Sequence, residues 1–263
     1  MRALDGTRAV LMDLEGTLYA AGQSLPGAAD AITALRTSGI AVRFLTNIDS
    51  RTPHEIALEL VGLGLPVQAE HLSTPVTAAA EVIARSPGAR VLALMSPALA
   101  ANLPAVVAEP PYTHVVVGDC REVLDYALLD AAFRAVRSGA ELVALQRGKY
   151  FKRPDGDHVD TGAIVAAVEY AADVTARVVG KPSVEYFQAA AASAGVDLAA
   201  CLVIGDDATT DIAGGRAAGA VTVQVRTGKF ADQSRTGAGE QADVTLDSVA
   251  DLPALLIGRV RER

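Results

Sequence analysis

The chain has 263 residues and a net charge of −8; 51% of its residues are hydrophobic and 21% are charged. This balance is typical of a globular protein and argues against disorder, and the acidic surface disfavours a nucleic acid or an anionic membrane as partner. No apolar run approaches the ~20 residues that span a bilayer, and the N-terminus lacks the features of a signal peptide, so we expect a cytoplasmic protein. Cys120 and Cys201 lie in or beside apolar runs, where we expect buried, reduced thiols.

Short apolar runs alternate with alanine-rich segments at both ends of the chain. The N-terminal part predicts a strand at Arg8–Asp13, a helix at Pro26–Ser38, a strand at Ala41–Asn47 and a helix that begins at Thr52 and Pro53. The C-terminal part predicts, in order, strand Arg177–Gly180, helix Pro182–Ala194, strand Cys201–Asp206, helix Thr210–Ala218, strand Val221–Thr227 and helix Ser248–Arg259. Such alternation indicates an α/β fold with a Rossmann-like, doubly wound parallel sheet.

The middle of the chain has elements of its own. Strands are predicted at Arg90–Met95, His114–Gly118 and Glu141–Gln146, and Asp155-Gly156 within residues 149–160 predicts a hairpin. We therefore expect a Rossmann-like core formed by residues 1–71 and 177–263, and a second α/β domain, residues 72–176, inserted into it.

Polar residues follow the predicted strands of the core. Asp13 ends the first strand, and Gly16 permits a sharp turn that aims main-chain N–H groups at an anion, although an ordinary strand–helix turn looks similar. Thr46 and Asn47 end the second strand, where they either donate to a phosphate oxygen or cap the next helix. In open α/β sheets the ligand crevice lies beyond these carboxyl ends, so the groups can converge.

Two further strand ends carry charge. Lys181 precedes a helix that Pro182 opens, and is either a phosphate-binding cation or a solvated loop lysine. Asp206, Asp207 and Asp211 crowd the end of an apolar strand, and such carboxylates repel one another unless a cation neutralises them. Oxygen ligands of this kind suit Mg²⁺, although one or two of these residues could instead cap the next helix. Together the strand ends predict a carboxylate nucleophile, a hydroxyl donor, a lysine and a metal-binding acid.

The order of these motifs resembles the haloacid dehalogenase-like hydrolases of class IIA, whose cap domain is inserted between the threonine and lysine motifs. The resemblance extends over nearly the whole chain, through RGKYFKRPDG, TGAIVAAVEYA, VVGKPSVEYF, VIGDDATTDI and VRTGKF. It implies a Mg²⁺-dependent phosphatase that acts on a small phosphorylated substrate, and it makes a homodimer plausible.

The resemblance also implies roles for individual residues. Asp13 is the expected nucleophile and forms an aspartyl-phosphate. Mg²⁺ is expected on Asp13, Asp206 and the main-chain carbonyl of Glu15. The roles of the remaining residues are as follows: Leu14, Thr46, Asn47 and Lys181 bind the phosphate, Lys181 also neutralises charge during catalysis, and Asp207 and Asp211 support the site. A cap would close over the crevice and select the substrate, with Lys149, Tyr150, Asp160 and Thr161 as candidates, or as residues that merely stabilise the cap.

One position departs from the family pattern. Most phosphatases of the superfamily carry aspartate two residues after the nucleophile as general acid and base, whereas this chain has Glu15. We expect Glu15 to keep that role. Two alternatives remain at this stage. One is a metal- and phosphate-binding regulatory domain weakened by Glu15, and the other is a metal-independent dehalogenase, against which the aspartate cluster argues.

Overall fold

The computed structural model describes residue 4, residues 6–153 and residues 155–257, without the side chains of residues 152 and 153. The chain divides into two units. The first unit contains the chain up to Thr46, the segment Pro53–Ser73 and the chain from Lys181 onward. The second unit contains Asn47–Thr52 and Thr74–Gly180.

The elements of the described residues follow in chain order. The strands are β1 (Ala9–Asp13), β2 (Tyr19–Ala20), β3 (Gln23–Ser24), β4 (Ala41–Leu45), β5 (Leu72–Ser73), β6 (Val91–Leu94), β7 (His114–Val117), β8 (Glu141–Ala144), β9 (Tyr150–Arg153), β10 (Gly156–Val159), β11 (Arg177–Val178), β12 (Cys201–Gly205), β13 (Val221–Val225) and β14 (Val244–Leu246). The α-helices are α1 (Ala28–Thr37), α2 (Pro53–Gly62), α3 (Pro75–Ala84), α4 (Pro97–Ala100), α5 (Tyr126–Arg137), α6 (Thr161–Ala172), α7 (Val184–Ser193), α8 (Ala213–Ala217), α9 (Phe230–Thr236) and α10 (Leu252–Ile257).

A parallel sheet with the order β14-β13-β12-β1-β4-β5 forms the first unit. Strands β1, β12 and β13 are buried along their whole length, which explains their unbroken apolar sequences. Successive core strands spread from β1 first towards β5 and then towards β14. The order therefore reverses between β1 and β12, and ligands of doubly wound sheets bind at such a switch point, outside the carboxyl ends of the strands. The predicted Rossmann-like fold is confirmed.

The second unit has its own parallel sheet, with the order β11-β8-β7-β6, and an antiparallel hairpin of β9 and β10. Side chains of β7 alternate between two apolar clusters. Val115 and Val117 pack in the cluster that α5 and α6 share, and Val116 packs with residues of α3 and α4. Apolar layers on both faces of the sheet agree with the predicted α/β character of this segment, and the pairing of β9 with β10 confirms the predicted hairpin.

The unit boundaries differ from the predicted division at Asn47–Thr52, which lie in the second unit, and at two short strands. Strand β5 pairs with β4 and belongs to the first sheet, whereas β11 pairs with β8 in the second sheet, although residues 177–180 were expected in the core. Two-residue edge strands carry too little apolar pattern to indicate which sheet they join. The C-terminal helix ends within the described residues at Ile257, and the end predicted at Arg259 lies outside them.

Cys120 and Cys201 are both buried and neither forms a disulfide, as expected. Burial raises the pKa of each thiol to about 11, so both remain protonated near neutral pH. None of the helices described above has the length and apolar character that crossing a bilayer requires.

Asp49 is a buried carboxyl group in the second unit, with 6% of its surface exposed. Its Oδ2 accepts a hydrogen bond of 2.6 Å from the Thr161 hydroxyl, and its carbonyl accepts one of 3.3 Å from the main-chain N–H of Asp119. Burial raises the pKa of Asp49 to about 7; the hydrogen bond from Thr161 opposes this shift and the charges of Asp160 and Asp119 reinforce it. The carboxyl group is therefore protonated in the folded protein at mildly acidic pH.

The stability of an Asp49→Asn variant relative to the wild type should increase as pH rises. The pKa of Asp49 in the folded protein lies above its unfolded value of about 3.9. Between these two pKa values the native state binds one proton more than the unfolded state, so the stability of the wild type falls as pH rises towards 7. We expect the melting temperature of the variant minus that of the wild type to increase between about pH 5 and about pH 8. A difference that stays constant, or that decreases with pH, would contradict the buried neutral carboxyl group.

Candidate active site

Acidic side chains lie on both sides of the switch point. Asp13 is the last residue of β1, and Asp206 follows directly after β12, the strand that pairs with β1. Both side chains are buried, with 7% and 3% of their surface exposed. The sheet topology thus brings together two carboxylates that are 193 residues apart in the sequence.

Lys181 joins the acids in the first unit. Its Nζ donates hydrogen bonds of 2.6 Å to Asp13 Oδ1 and 2.7 Å to Asp211 Oδ1. Burial by itself lowers the pKa of this lysine, but the charges of Asp13 and Asp211 outweigh burial, and the net shift is upward. Lys181 is therefore a fixed ammonium ion, not a solvated loop lysine.

Asp13 has a defined orientation because both of its carboxylate oxygens accept a hydrogen bond. Lys181 donates to Oδ1, and the hydroxyl of Thr17 donates to Oδ2 at 2.9 Å. The main-chain turn that follows β1 carries Thr17 back towards Asp13, and Gly16 occupies it with φ of +89°. The predicted sharp turn is present and supports the carboxylate.

Asp13, Asp206 and Asp211 can present carboxylate oxygens that all lie within 4.8 Å of one another, and all three residues are buried. Burial and the neighbouring carboxylates raise the pKa of Asp206, and burial and the charge of Asp13 raise that of Asp211. One lysine does not neutralise three crowded acids. Hard oxygen ligands in this arrangement fit a divalent cation such as Mg²⁺.

The carboxylate of Asp206 is enclosed by two glycines and one main-chain amide. The N–H of Lys229 donates to Asp206 Oδ2 at 2.7 Å. Gly16 and Gly228, both with positive φ, pack so closely on the carboxylate that a Cβ added at either position would overlap it. The position of Asp206 is thus set by main-chain groups from two different loops.

Asp207 has a different environment from that of its neighbour. Its Oδ2 accepts from Lys229 Nζ at 2.8 Å, and its Oδ1 accepts from Thr209 and from Gln233. Burial alone raises the pKa of Asp207, but the charge and hydrogen bond of Lys229 outweigh it and lower the pKa well below the ordinary range. Asp207 is therefore an ionised anchor outside the group of three acids.

Thr46 lies at the same edge of the sheet, one residue beyond Leu45, which is the β4 partner of Asp13. It is buried, and its main chain is fixed by Tyr186, whose hydroxyl donates to the Thr46 carbonyl at 2.8 Å and accepts from the Thr46 N–H at 3.3 Å. Burial raises the pKa of Tyr186, so the phenol remains neutral. Helix α7 thereby holds the end of β4.

The remaining predicted residues occupy varied positions. The side chain of Leu14 is fully buried, so only its main chain is available to a ligand. Glu15 is exposed and lies outside the group of three acids. Asn47 belongs to the second unit, where its Oδ1 lies against Gly180.

The substrate candidates of the second unit separate into two pairs. Lys149 and Tyr150 are exposed. Asp160 accepts from Gln146 at 2.9 Å and caps α6, and Thr161 is buried against Asp49. The internal contacts of Asp160 and Thr161 favour a structural role for this second pair.

Sequence reasoning missed the roles of several residues. Thr17 contacts Asp13, Tyr186 fixes Thr46, and Lys229 contacts both Asp206 and Asp207. A signal for Lys229 was available, because it follows the predicted strand Val221–Thr227 and strand ends of a parallel sheet share one edge. Tyr186 gave no such signal, because an aromatic residue in a helix is usually a core residue.

Comparisons with known proteins agree with these features. A family model described as haloacid dehalogenase-like hydrolase matches residues 10–106, and a related model of the same type of hydrolase matches residues 178–252. The human phospholysine phosphohistidine inorganic pyrophosphate phosphatase is 31% identical over 262 residues, which cover 97% of this chain and 96% of the relative. The human haloacid dehalogenase-like hydrolase domain-containing protein 2 is 33% identical over 230 residues, 88% of each chain.

A solved structure shares the fold over almost the same length. The p-nitrophenyl phosphatase from Archaeoglobus fulgidus superposes with a TM-score of 0.87 and 26% sequence identity, and the match covers 95% of this chain and 99% of the other. Motif order, sheet topology and similarity over nearly the entire sequence lead to one conclusion. The chain belongs to the haloacid dehalogenase-like hydrolases.

Proposed function

We propose that the protein is a Mg²⁺-dependent phosphatase that hydrolyses a small phosphorylated metabolite through an aspartyl-phosphate on Asp13. The observation that carries the proposal is the contact of Lys181 Nζ with Asp13 and Asp211, beside Asp206, at the switch point of the sheet. A buried carboxylate is a nucleophile, and the ammonium ion lowers its repulsion of a phosphate group. The relatives named as phosphatases support the same reaction class.

Asp13, Asp206 and the carbonyl of Glu15 would hold Mg²⁺, which when bound offsets the negative charge of the phosphate and of the acids. Within the first unit, Thr46 and the main chain of Leu14 would bind phosphate oxygens together with Lys181. A phosphate-binding role for Asn47 remains a prediction from the family resemblance. Asp211 would orient Lys181, because it is the second carboxylate on that ammonium ion.

The proposed reaction has two displacements at phosphorus. An oxygen of Asp13 bonds to phosphorus while the bond to the leaving-group oxygen breaks, and Glu15 donates a proton to that oxygen. The Glu15 carboxylate then removes a proton from water, whose oxygen bonds to phosphorus as the bond to Asp13 breaks. Phosphate leaves, and Asp13 and Glu15 return to their initial states.

Phosphate release tests the proposal. The panel consists of p-nitrophenyl phosphate, pyrophosphate, phospholysine, a nucleotide and a sugar phosphate, each with Mg²⁺ and with EDTA. We expect release from at least one compound with Mg²⁺, its loss in EDTA and its return with excess Mg²⁺. Turnover that EDTA leaves unchanged would contradict the metal dependence, and the absence of turnover on all of them would favour the regulatory-domain alternative.

The alternative rests on one observation, which is that Glu15 replaces the usual aspartate and is exposed. We expect Glu15→Gln to lower kcat/KM for an alkyl phosphate by about 10²–10⁴-fold, because a poor leaving group needs a proton. The loss should be smaller for p-nitrophenyl phosphate, whose leaving group is stable as an anion. Glu15→Asp is the matched variant that keeps the acid. An unchanged rate with the alkyl phosphate would remove Glu15 from acid–base catalysis.

A cytoplasmic location and a homodimer remain predictions. The first rests on the two reduced cysteines, and the second on the family resemblance alone. Lys149 and Tyr150, which are exposed in the second unit, remain our proposed substrate-selecting residues.

A further inference from the structure

A loop between β13 and α9 contacts the acid cluster, although the predicted machinery does not include it. We define the TGK loop as Thr227, Gly228 and Lys229. The Thr227 hydroxyl donates to the carbonyl of Gly16, and the Lys229 N–H donates to Asp206 Oδ2 at 2.7 Å. The loop thus connects the turn after Asp13 with the acid that follows β12.

The contact with Asp206 leaves one of its oxygens unoccupied by a donor. Lys229 occupies Oδ2, and within the part of the chain that the structure describes no hydrogen-bond donor contacts Oδ1. Gly228 and Gly16 pack on the carboxylate, where neither position has room for a Cβ. The carboxylate cannot rotate without losing the amide hydrogen bond or displacing a glycine. The TGK loop therefore fixes which oxygen of Asp206 is available as a ligand.

Asp207 fixes the TGK loop in turn. Lys229 Nζ pairs with Asp207 Oδ2 at 2.8 Å, and the side chain of Gln233, one helical turn further along, donates to Asp207 Oδ1 at 2.8 Å. The side chain of Lys229 is 66% exposed, whereas that of Asp207 is 8% exposed. A buried carboxylate thus holds an exposed lysine side chain and, through it, the main-chain N–H that contacts Asp206.

We propose that the TGK loop and Asp207 are positioning residues for the metal site, and that the Asp207–Lys229 ion pair sets the affinity of Asp206 for Mg²⁺. Groups that orient a ligand typically change metal affinity by about 10-fold to 100-fold when they are removed. The carboxylate of Asp207 acts through the loop and not as a ligand, because its oxygens accept from Lys229, Thr209 and Gln233, all outside the group of three acids. The inference rests on the magnesium assignment of the proposed function.

Calorimetric titration of MgCl₂ into the metal-free full-length protein tests the inference without relying on turnover. Lys229→Met keeps the main-chain N–H and removes the ammonium ion, and we expect the Mg²⁺ dissociation constant to rise about tenfold. Lys229→Arg should restore most of the affinity. Arg235→Met is the matched control. It removes an exposed ion pair with Asp232 in α9, the helix that follows the TGK loop, and neither residue of that pair contacts Asp206 or Asp207.

Two further variants test the loop directly. Gly228→Ala should weaken Mg²⁺ binding more than Lys229→Met does, because its Cβ overlaps Asp206 and its φ is positive. Thr227→Val removes the hydrogen bond to Gly16 with little change in shape and keeps the proposal testable if Gly228→Ala does not fold. In the phosphatase assay the Mg²⁺ concentration for half-maximal rate should rise in each variant.

The outcomes separate the inference from the proposed function. A Lys229→Met dissociation constant within about twofold of wild type overturns the inference, even if the phosphatase is active. Absence of Mg²⁺ binding in the wild type overturns it as well. Weaker binding in Lys229→Met but not in Arg235→Met supports it, even if no phosphate ester is hydrolysed, and in that case only the proposed function fails.

Discussion

Asp13→Asn is expected to lower kcat by about 10⁴-fold or more, because the variant lacks the nucleophile on which both displacements depend. Asparagine keeps the size of the side chain and an oxygen that can accept from Thr17 or Lys181, so the change is chemical more than structural. The measurement is the initial rate of phosphate release at saturating substrate and Mg²⁺.

Asp30→Asn is a matched control for Asp13→Asn, because Asp30 is an exposed acid in the first turn of α1. It should leave the rate unchanged. Circular dichroism should give the same spectrum for both variants and the wild type. A well-folded Asp13→Asn variant that retains more than about a tenth of the wild-type rate would contradict covalent catalysis at this residue.

Lys181→Met should affect both activity and stability. Removal of the ammonium ion leaves phosphate oxygens and Asp13 without a positive partner, and we expect kcat/KM to fall by about 10²–10³-fold. Removal also leaves Asp13 and Asp211 buried without their counter-ion, which typically costs about 3–5 kcal/mol of unfolding free energy. Rates and denaturant unfolding in EDTA measure the two effects separately.

The stability loss of Lys181→Met should also depend on pH. The ammonium ion of Lys181 stabilises the ionised form of Asp211. Without it, the pKa of Asp211, which burial and the charge of Asp13 already raise, should rise further. A folded-state pKa above the unfolded value means that stability is lost as pH rises, so the destabilisation should be larger near pH 8 than near pH 5. Lys149→Met, which removes an exposed lysine, is the stability control. Equal destabilisation by both variants would contradict the buried ion pairs.

Much of the fold was predictable from the sequence, because strands that are buried on both faces have unbroken apolar sequences. Strands β1 and β12 are buried along their whole length and are unbroken apolar runs; β1 ends in Asp13, and Asp206 follows β12 directly. The topology rule for parallel sheets then brings their ends together without further information. The convergence of Asp13 and Asp206 follows from that rule alone, whereas Lys181 follows β11, a strand of the second sheet, and the rule does not place it.

Other contacts depend on information that a single sequence does not carry. The N–H of Lys229 contacts Asp206 through the main chain, and every residue but proline has an N–H, so the side chain gives no hint of this contact. The pairing of β11 with β8 is decided by packing in the second unit, because two residues cannot specify a register. Asp206 and Asp207 are adjacent in sequence but differ in their partners: Asp206 faces Asp13 and Asp211, whereas the side chain of Lys229 and two further donors stabilise the charge of Asp207.

Chemical trapping of the phosphorylated enzyme tests the central claim most directly. The Glu15→Gln variant is mixed with substrate and Mg²⁺, quenched, and reduced with borohydride, which converts an aspartyl-phosphate to homoserine; peptide mass spectrometry then locates the product. We predict homoserine at position 13, dependent on substrate and absent from Asp13→Asn. Homoserine at another aspartate, or none at position 13 while the enzyme turns over, would contradict nucleophilic attack by Asp13.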